Sequence, residues 1–167
     1  LVGHNTGLVE NCRNYADVLT FGTYVGGIVG YNDNVATADV INCFNAGNIT
    51  SGRFGAGGIT GVNYNLVKNC VNTGTIIARE LCTNYKPGPN MHQLMGGITG
   101  SMSGRLENCI NYGTVSGHVK TGGLSGTMAS VSGSFQYKND FVNCINVGMV
   151  YCDEAASCGA LGGVSGT

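Results

Sequence analysis

A Gly-Gly block recurs five times along this chain and limits the architectures that it can adopt. Its pattern is Gly-Gly-aliphatic-x-Gly, and its copies begin at Gly26, Gly57, Gly96, Gly122 and Gly162. A second block, Asn-Cys-x-Asn-x-Gly, follows each of the first four copies. Such self-similarity predicts a repeat architecture, in which each copy buries its apolar face by packing on the next one.

The repeats share a core and differ in the length of their loops. The cysteines of the second block are Cys43, Cys70, Cys109 and Cys144, with a degenerate first copy around Cys12, and their successive spacings are 31, 27, 39 and 35 residues. We therefore expect a single repeat domain over residues 1–167. Its repeats fall at about 1–25, 26–56, 57–95, 96–121 and 122–161, with the start of a sixth at 162–167.

Each repeat offers three short apolar runs. In the shortest copy they are Gly58–Gly61, Leu66–Val71 and Gly74–Ile77. Runs of this length that are rich in Val, Ile and Thr and bounded by Gly and Asn are typical of strands. Three strands per turn predict an all-β fold: a right-handed parallel β-helix, or three-sided β-solenoid, of about five coils. Its length would be roughly 24 Å, from the spacing between neighbouring strands.

Two apolar columns are predicted to face the interior. One lies three residues before each repeat cysteine, and the other lies six residues after it. Their members are Val9, Val40, Val67, Leu106 and Phe141 in the first, and Val18, Ile49, Ile76, Val115 and Val150 in the second.

The asparagine two residues after each repeat cysteine is predicted to belong to a structural ladder. We place this residue at a turn, because Asn tolerates left-handed backbone angles, and stacked Asn amides hydrogen-bond along a column. The ladder comprises Asn14, Asn45, Asn72, Asn111 and Asn146.

The repeat cysteines Cys43, Cys70, Cys109 and Cys144 are predicted to be structural as well. Strict alternation along the strand would point them outward, whereas a bend at the preceding Asn would turn them inward; the strong tendency of Cys to be buried favours the bend. Since stacked in-register cysteines point their Cβ atoms the same way, we expect free, buried thiols.

The blocks GGITGVN, LVKNCVNTGTI and GGITGSM-LENCINYGTV resemble the GLUG repeats and related β-solenoid repeats of large bacterial surface proteins. The resemblance covers nearly the whole chain and implies a bacterial, secreted or cell-surface, adhesin-like protein. Similar repeats precede the catalytic domain in some secreted immunoglobulin-cleaving metallopeptidases. Families that share the motif have unrelated functions, so the resemblance implies the location of the protein better than its activity. Arg13, in the degenerate first copy, departs from the pattern.

We predict no catalytic residue, no metal site and no cofactor. The cysteine spacings do not match a CxxC motif, and there is no HExxH helix. Of the nine acidic residues, only Glu10 and Glu107 share a repeat position. The alternative function is a polysaccharide-processing β-helix enzyme, which would need carboxylates that converge on one face.

Charge and hydropathy exclude two classes of partner. Eight Lys and Arg residues against nine Asp and Glu residues leave a formal net charge of -1, without a basic run for a phosphate backbone. We therefore expect no nucleic acid. No continuous apolar stretch predicts membrane insertion.

The expected function is that of a stalk, fibre or ligand-presenting module at the bacterial cell surface, with a host or glycan ligand as a candidate partner. Solenoid insertions project outward, where function concentrates. The candidate contact residues are Arg79, Tyr85, Lys86 and His92 in one loop, and Phe135, Tyr137 and Lys138 in a second.

Two expectations concern the last insertion and the ends. Cys152 and Cys158 bracket a short loop, and either a disulfide or two free thiols is compatible with that spacing. Because the sequence opens just after the place of a Gly-Gly pair and stops inside a sixth copy, we expect an interior fragment of a longer protein. Its partners would be further coils of the same protein, or other copies through end-to-end self-association.

Overall fold

Short parallel strands wind into five coils in the computed structural model of this chain. The structure describes residues 2–79, 93–128, 136–152 and 157–161, and these contain twenty-five strands and no helix. Accordingly, the described part of the chain offers no long apolar helix that could span a membrane.

Every coil contributes five strands. The first coil holds β1 (Val2–Asn5), β2 (Val9–Glu10), β3 (Arg13–Asn14), β4 (Val18–Thr20) and β5 (Val25–Gly26). The second holds β6 (Val29–Asn32), β7 (Val40–Ile41), β8 (Phe44–Asn45), β9 (Ile49–Ser51) and β10 (Ala56–Gly57). The third holds β11 (Thr60–Asn63), β12 (Leu66–Lys68), β13 (Val71–Asn72), β14 (Ile76–Ala78) and β15 (Leu94–Gly96).

The last two coils repeat this order. The fourth holds β16 (Thr99–Met102), β17 (Arg105–Glu107), β18 (Ile110–Asn111), β19 (Val115–Gly117) and β20 (Lys120–Gly122). The fifth holds β21 (Ser125–Met128), β22 (Asp140–Val142), β23 (Ile145–Asn146), β24 (Val150–Cys152) and β25 (Ser157–Gly159).

Strands at the same place in successive coils form five parallel sheets of five strands each. Their orders are β1-β6-β11-β16-β21, β2-β7-β12-β17-β22, β3-β8-β13-β18-β23, β4-β9-β14-β19-β24 and β5-β10-β15-β20-β25. Equivalent residues pair directly, so Val67 aligns with Val40 on one side and with Leu106 on the other. The predicted β-solenoid of about five coils is thus confirmed.

The number of strands per coil differs from the prediction of three. The run Leu66–Val71 is divided between β12 and β13, because Asn69 between them has a left-handed backbone with φ of 54°. A further strand, β10 in the second coil, begins one residue before the Gly-Gly-aliphatic-x-Gly block and includes the first glycine of that block. The five strands therefore come from a bend within one apolar run and from a strand that composition did not reveal.

The bend occurs at the asparagine immediately before each repeat cysteine. This residue has φ between 51° and 55° in all five coils: Asn11, Asn42, Asn69, Asn108 and Asn143. The predicted bend is confirmed. The left-handed turn predicted for the ladder asparagines is wrong, because Asn45, Asn72 and their equivalents lie in strands and are not among the residues with positive φ.

The apolar interior consists of two clusters. One contains the column of Val40, Val67 and Leu106, and the other contains that of Ile49 and Ile76; all five side chains are fully buried. The two predicted interior columns are therefore confirmed in the middle coils, while Val18, Phe141 and Val150 in the end coils are only half-buried. Along the chain, each ladder asparagine in the three middle coils falls between a residue of the first cluster and a residue of the second. The interior therefore contains a column of buried polar side chains as well as apolar ones.

Candidate functional site

The predicted asparagine ladder runs the length of the described solenoid. Each side-chain Nδ2 donates a 2.8 Å hydrogen bond to Oδ1 of the next member, in the order Asn14, Asn45, Asn72, Asn111, Asn146. The second amide hydrogen of Asn72 goes to the Gly74 carbonyl at 2.8 Å. Both donors of this buried amide are thus satisfied within the protein, as burial requires.

A second ladder was not predicted. Asn5 donates to Asn32 and Asn32 donates to Asn63, each at 2.8 Å, and all three are buried. In the next two coils Met102 and Met128 occupy the same column. This ladder could have been predicted from the sequence, because each of these asparagines lies two residues after the last glycine of the block. Only three coils show that pattern.

The second glycine of the first block makes room for the first ladder. A Cβ atom added to Gly27 or Gly58 would overlap the side chain of Asn45 or Asn72, respectively. The same holds for Gly97 against Asn111 and for Gly123 against Asn146. The two repeated blocks therefore pack against each other across the interior.

The repeat cysteines form a column of free thiols, as predicted; Cys43, Cys70 and Cys109 are buried, whereas Cys144 in the last coil is only half-buried. The left-handed residue before each cysteine lets its thiol reach the carbonyl two residues earlier. Cys70 Sγ, for example, donates to the Lys68 carbonyl at 3.2 Å. Hydrogen bonding with the Cys109 and Cys43 thiols, together with burial, raises the pKa of Cys70. This thiol is therefore protonated at neutral pH and fills space.

The two remaining described cysteines are joined. Cys152, in β24, forms a disulfide with Cys158, in β25, and their Cα atoms lie 6.4 Å apart. Of the two alternatives left open by the sequence, the structure has the bridge.

The predicted contact residues fall into two groups. Tyr85, Lys86, His92 and Phe135 lie outside the described residues. Among the others, Lys138 is exposed and Arg79 places its guanidinium 5.2 Å from the ring centroid of Phe21.

Tyr137 has a different neighbour from Arg79. Its ring lies 5.1 Å from the guanidinium of Arg105, which also pairs with Asp140 at 2.9 Å. The described contact residues therefore do not lie against a common set of side chains.

A surface cluster of aromatic rings, which the sequence did not predict, occupies the first three coils. Tyr31 stands at its centre, with its ring centroid 5.0 Å from His4, 5.4 Å from Tyr64 and 5.7 Å from Tyr24. Phe54 extends the cluster, 6.3 Å from Tyr24. We call this set the tyrosine cluster. No two of its tyrosines share a repeat offset, so the repeat pattern alone gives no signal for it.

An acidic group borders the tyrosine cluster. Asp33 Oδ2 lies 2.9 Å from His4 Nε2, and Asp33 Oδ1 accepts the Asn34 backbone N–H at 2.7 Å. The hydrogen bond with His4 holds the pKa of Asp33 below its usual range. Burial and the neighbouring Tyr64 raise the pKa of Tyr31 to about 12. At neutral pH the site therefore presents the Asp33 carboxylate near the neutral phenol of Tyr31.

Tyr24 has a strained backbone. Its φ is 57°, in the left-handed region that a bulky side chain rarely adopts. The equivalent residue one coil later is Gly55, with φ of 38°, since Val25 and Ala56 pair in register directly after them. The first coil thus places an aromatic ring where the second uses a glycine.

Comparison with known protein families gives one match. Residues 21–50 match the GLUG motif, over a stretch that spans the junction of the first two coils and one copy of each block. Residues 21–50 therefore carry a GLUG motif, which supports the resemblance found in the sequence. Neither the curated proteins nor the solved structures returned a match.

Proposed function

We propose that this chain is a structural and adhesive segment of a bacterial extracellular or cell-surface protein. It would act as a stalk, a fibre element or a ligand-presenting module. The observation that carries the proposal is the difference between the interior and the surface. Ladders of stacked side chains fill the interior, and the buried amide of Asn72 donates both of its hydrogens to other groups of the chain. Any ligand would therefore bind to side chains on the outer face of the solenoid.

The repeat geometry suits a spacer. Each coil hydrogen-bonds to its neighbours through five parallel strand pairs, so every added coil extends the rod by roughly 4.8 Å without changing its cross-section. Stability in such a stack is a sum over neighbouring coils. A solenoid can thereby set a distance between a cell and whatever its outer loops bind.

The alternative, a polysaccharide-processing enzyme, gains no support from the acidic residues. Such enzymes place two carboxyl groups about 5–10 Å apart around the bond they cleave. Glu10 and Glu107 share one column but lie three coils apart, about 14 Å along the stack.

One carboxylate on the fourth coil and one on the fifth are held in ion pairs. Glu107 pairs with Lys68 at 2.6 Å and Asp140 pairs with Arg105 at 2.9 Å. Within the described ranges, no three His, Cys, Asp or Glu residues are grouped so that they could hold a metal ion.

Labelling of intact cells tests the proposal. Fab fragments raised against the folded chain would be applied to live cells of the bacterium that encodes it, with a deletion strain as the control. We expect labelling of intact cells at the level seen after lysis. Labelling that appears only after lysis would contradict an extracellular role.

A further inference from the structure

The tyrosine cluster is an addition to the solenoid, and the other coils show what the fold itself requires at these positions. The column that contains His4 and Tyr31 continues with Val62, Ser101 and Thr127. Other coils of the same fold therefore carry a valine, a serine or a threonine at the position of Tyr31.

Tyr24 supplies an independent observation. A bulky side chain is strained in a left-handed conformation, and such strain concentrates at functional sites. Gly55, at the equivalent position, shows that a glycine fits there. The strained backbone places the Tyr24 ring against Tyr31 and Phe54, and leaves that residue 40% exposed.

The polar groups at the border favour hydroxyl-bearing ligands. The side chains of His4 and Asp33 are 58% and 30% exposed, so the hydrogen bond between them lies at the solvent boundary beside the rings. A carboxylate accepts strong hydrogen bonds from hydroxyl groups, while a phenol ring offers an apolar face and a polar tip. Sugars combine these needs, because their C–H faces are apolar and their edges carry hydroxyls.

We propose that Tyr24, Tyr31 and Tyr64, together with Asp33 and His4, bind one or two units of a neutral oligosaccharide. This rests on the proposed function and names the ligand class of the adhesive module. Asp33 is the group that disfavours an anionic glycan, since its carboxylate would repel one. A protein partner fits less well, because a stable protein interface buries about 800 Å² on each side and the cluster comprises only a few rings.

Affinity electrophoresis of the 167-residue chain tests the site. Native gels would contain β-glucan, galactomannan or arabinoxylan as neutral probes and hyaluronan as an anionic one. We expect at least one neutral probe to retard the protein. Tyr24→Gly and Asp33→Ala should each weaken that retardation about 10-fold, the equivalent of losing one good contact.

Two comparisons separate binding from folding. Tyr24→Gly relieves the left-handed tyrosine, so its unfolding midpoint should equal or exceed that of the wild type while binding falls. Tyr112→Ala removes another exposed tyrosine, on the fourth coil, and should bind as the wild type does. Asp33→Ala serves as the second binding variant if Tyr24→Gly unfolds.

Three results would overturn the site: no retardation by any neutral probe, retardation by hyaluronan alone, or wild-type retardation of both Tyr24→Gly and Asp33→Ala. The labelling of intact cells is independent of these gels. A failed sugar site would therefore leave the surface location standing, and a failed labelling would leave the gel result standing.

Discussion

Asn45 Nδ2 donates a 2.8 Å hydrogen bond to Oδ1 of Asn72, which lies 27 residues later in the chain and one coil further along the stack. The same bond length recurs at separations of 31, 39 and 35 residues. Coil stacking, rather than distance along the chain, therefore fixes this contact. Insertions of different length leave the ladder unchanged.

Asn72→Ala should destabilise the fold by about 3 kcal/mol. The change removes a buried amide from the middle of the ladder and leaves the Gly74 carbonyl and the Asn45 amide each short of a partner, at about 1–3 kcal/mol per group. Asn146→Ala is the matched control, because that asparagine is only half-buried and ends the described ladder. Urea unfolding of both variants checks this, and equal losses would contradict the ladder's importance.

Gly58→Ala should cost more than about 2 kcal/mol, because its new methyl group would overlap the Asn72 side chain in a packed interior. Gly52→Ala is the control: its Cβ would meet nothing closer than 3.5 Å, so its stability should stay equal or rise by up to about 1 kcal/mol. Thermal unfolding of the pair tests the packing of the two blocks. Similar midpoints for both variants would show that the blocks do not meet.

Much of the fold could be predicted because stacking converts sequence offsets into columns. The distances of Val67 and Ile76 from the repeat cysteine predict that both side chains face the interior, and both are fully buried. The left-handed position was misplaced by three residues, since Asn69 and Asn72 are equally suited to such angles by residue type. The inward-facing Cys70 between them was the informative feature, because only a bend at Asn69 turns it inward.

The tyrosine cluster could not be predicted in this way. Tyr31 aligns with Val62, while the Tyr64 backbone N–H bonds to the Asn32 carbonyl and so occupies the column of Asp33. The rings meet diagonally between coils, and the contact occurs once rather than in each repeat. Periodicity carries no information about a feature that does not repeat.

Asn69→Gly should be nearly neutral, whereas Asn69→Ala should cost about 1 kcal/mol or more. Glycine adopts the observed φ of 54° freely and alanine does not. Both changes remove the same exposed amide contacts with Asn42 and Asn108, so the difference between them isolates the backbone. Chemical denaturation measures it, and identical stabilities would show that the bend imposes no strain.

The repeat thiols should be reduced and unequally reactive. Alkylation of the native protein should modify the half-buried Cys12 and Cys144 before the buried Cys70, because the reagent reaches exposed sulfur atoms first. Denaturation without reductant should then expose all five repeat thiols. Mass spectrometry that found fewer than four of them modified would contradict the prediction.

Asp39→Asn should raise the unfolding midpoint at pH 7. Burial raises the pKa of Asp39 above its ordinary value of 3.8, and within the described part of the chain its Oδ1 has no hydrogen-bond partner. The folded state therefore holds the proton more tightly than the unfolded state, and this residue's contribution to stability is lost as pH rises through the raised pKa.

The advantage of the asparagine should accordingly shrink as the pH falls through the raised pKa, and should be smallest below 3.8, where the carboxyl is mostly protonated in both states. Melting curves of the variant and the wild type between pH 3 and pH 7 would show this convergence. A constant difference across that range would mean that the charge of Asp39 is not the cause.

Equivalent residues of successive coils lie in columns in this chain, and a crystal structure of all 167 residues would measure that arrangement. The Cα atoms of Asn45, Asn72, Asn111 and Asn146 should lie on one line, about 4.8 Å apart from coil to coil, with their amides hydrogen-bonded along it. Unequal spacings, or asparagine side chains that face solvent, would contradict the solenoid and the function proposed from it.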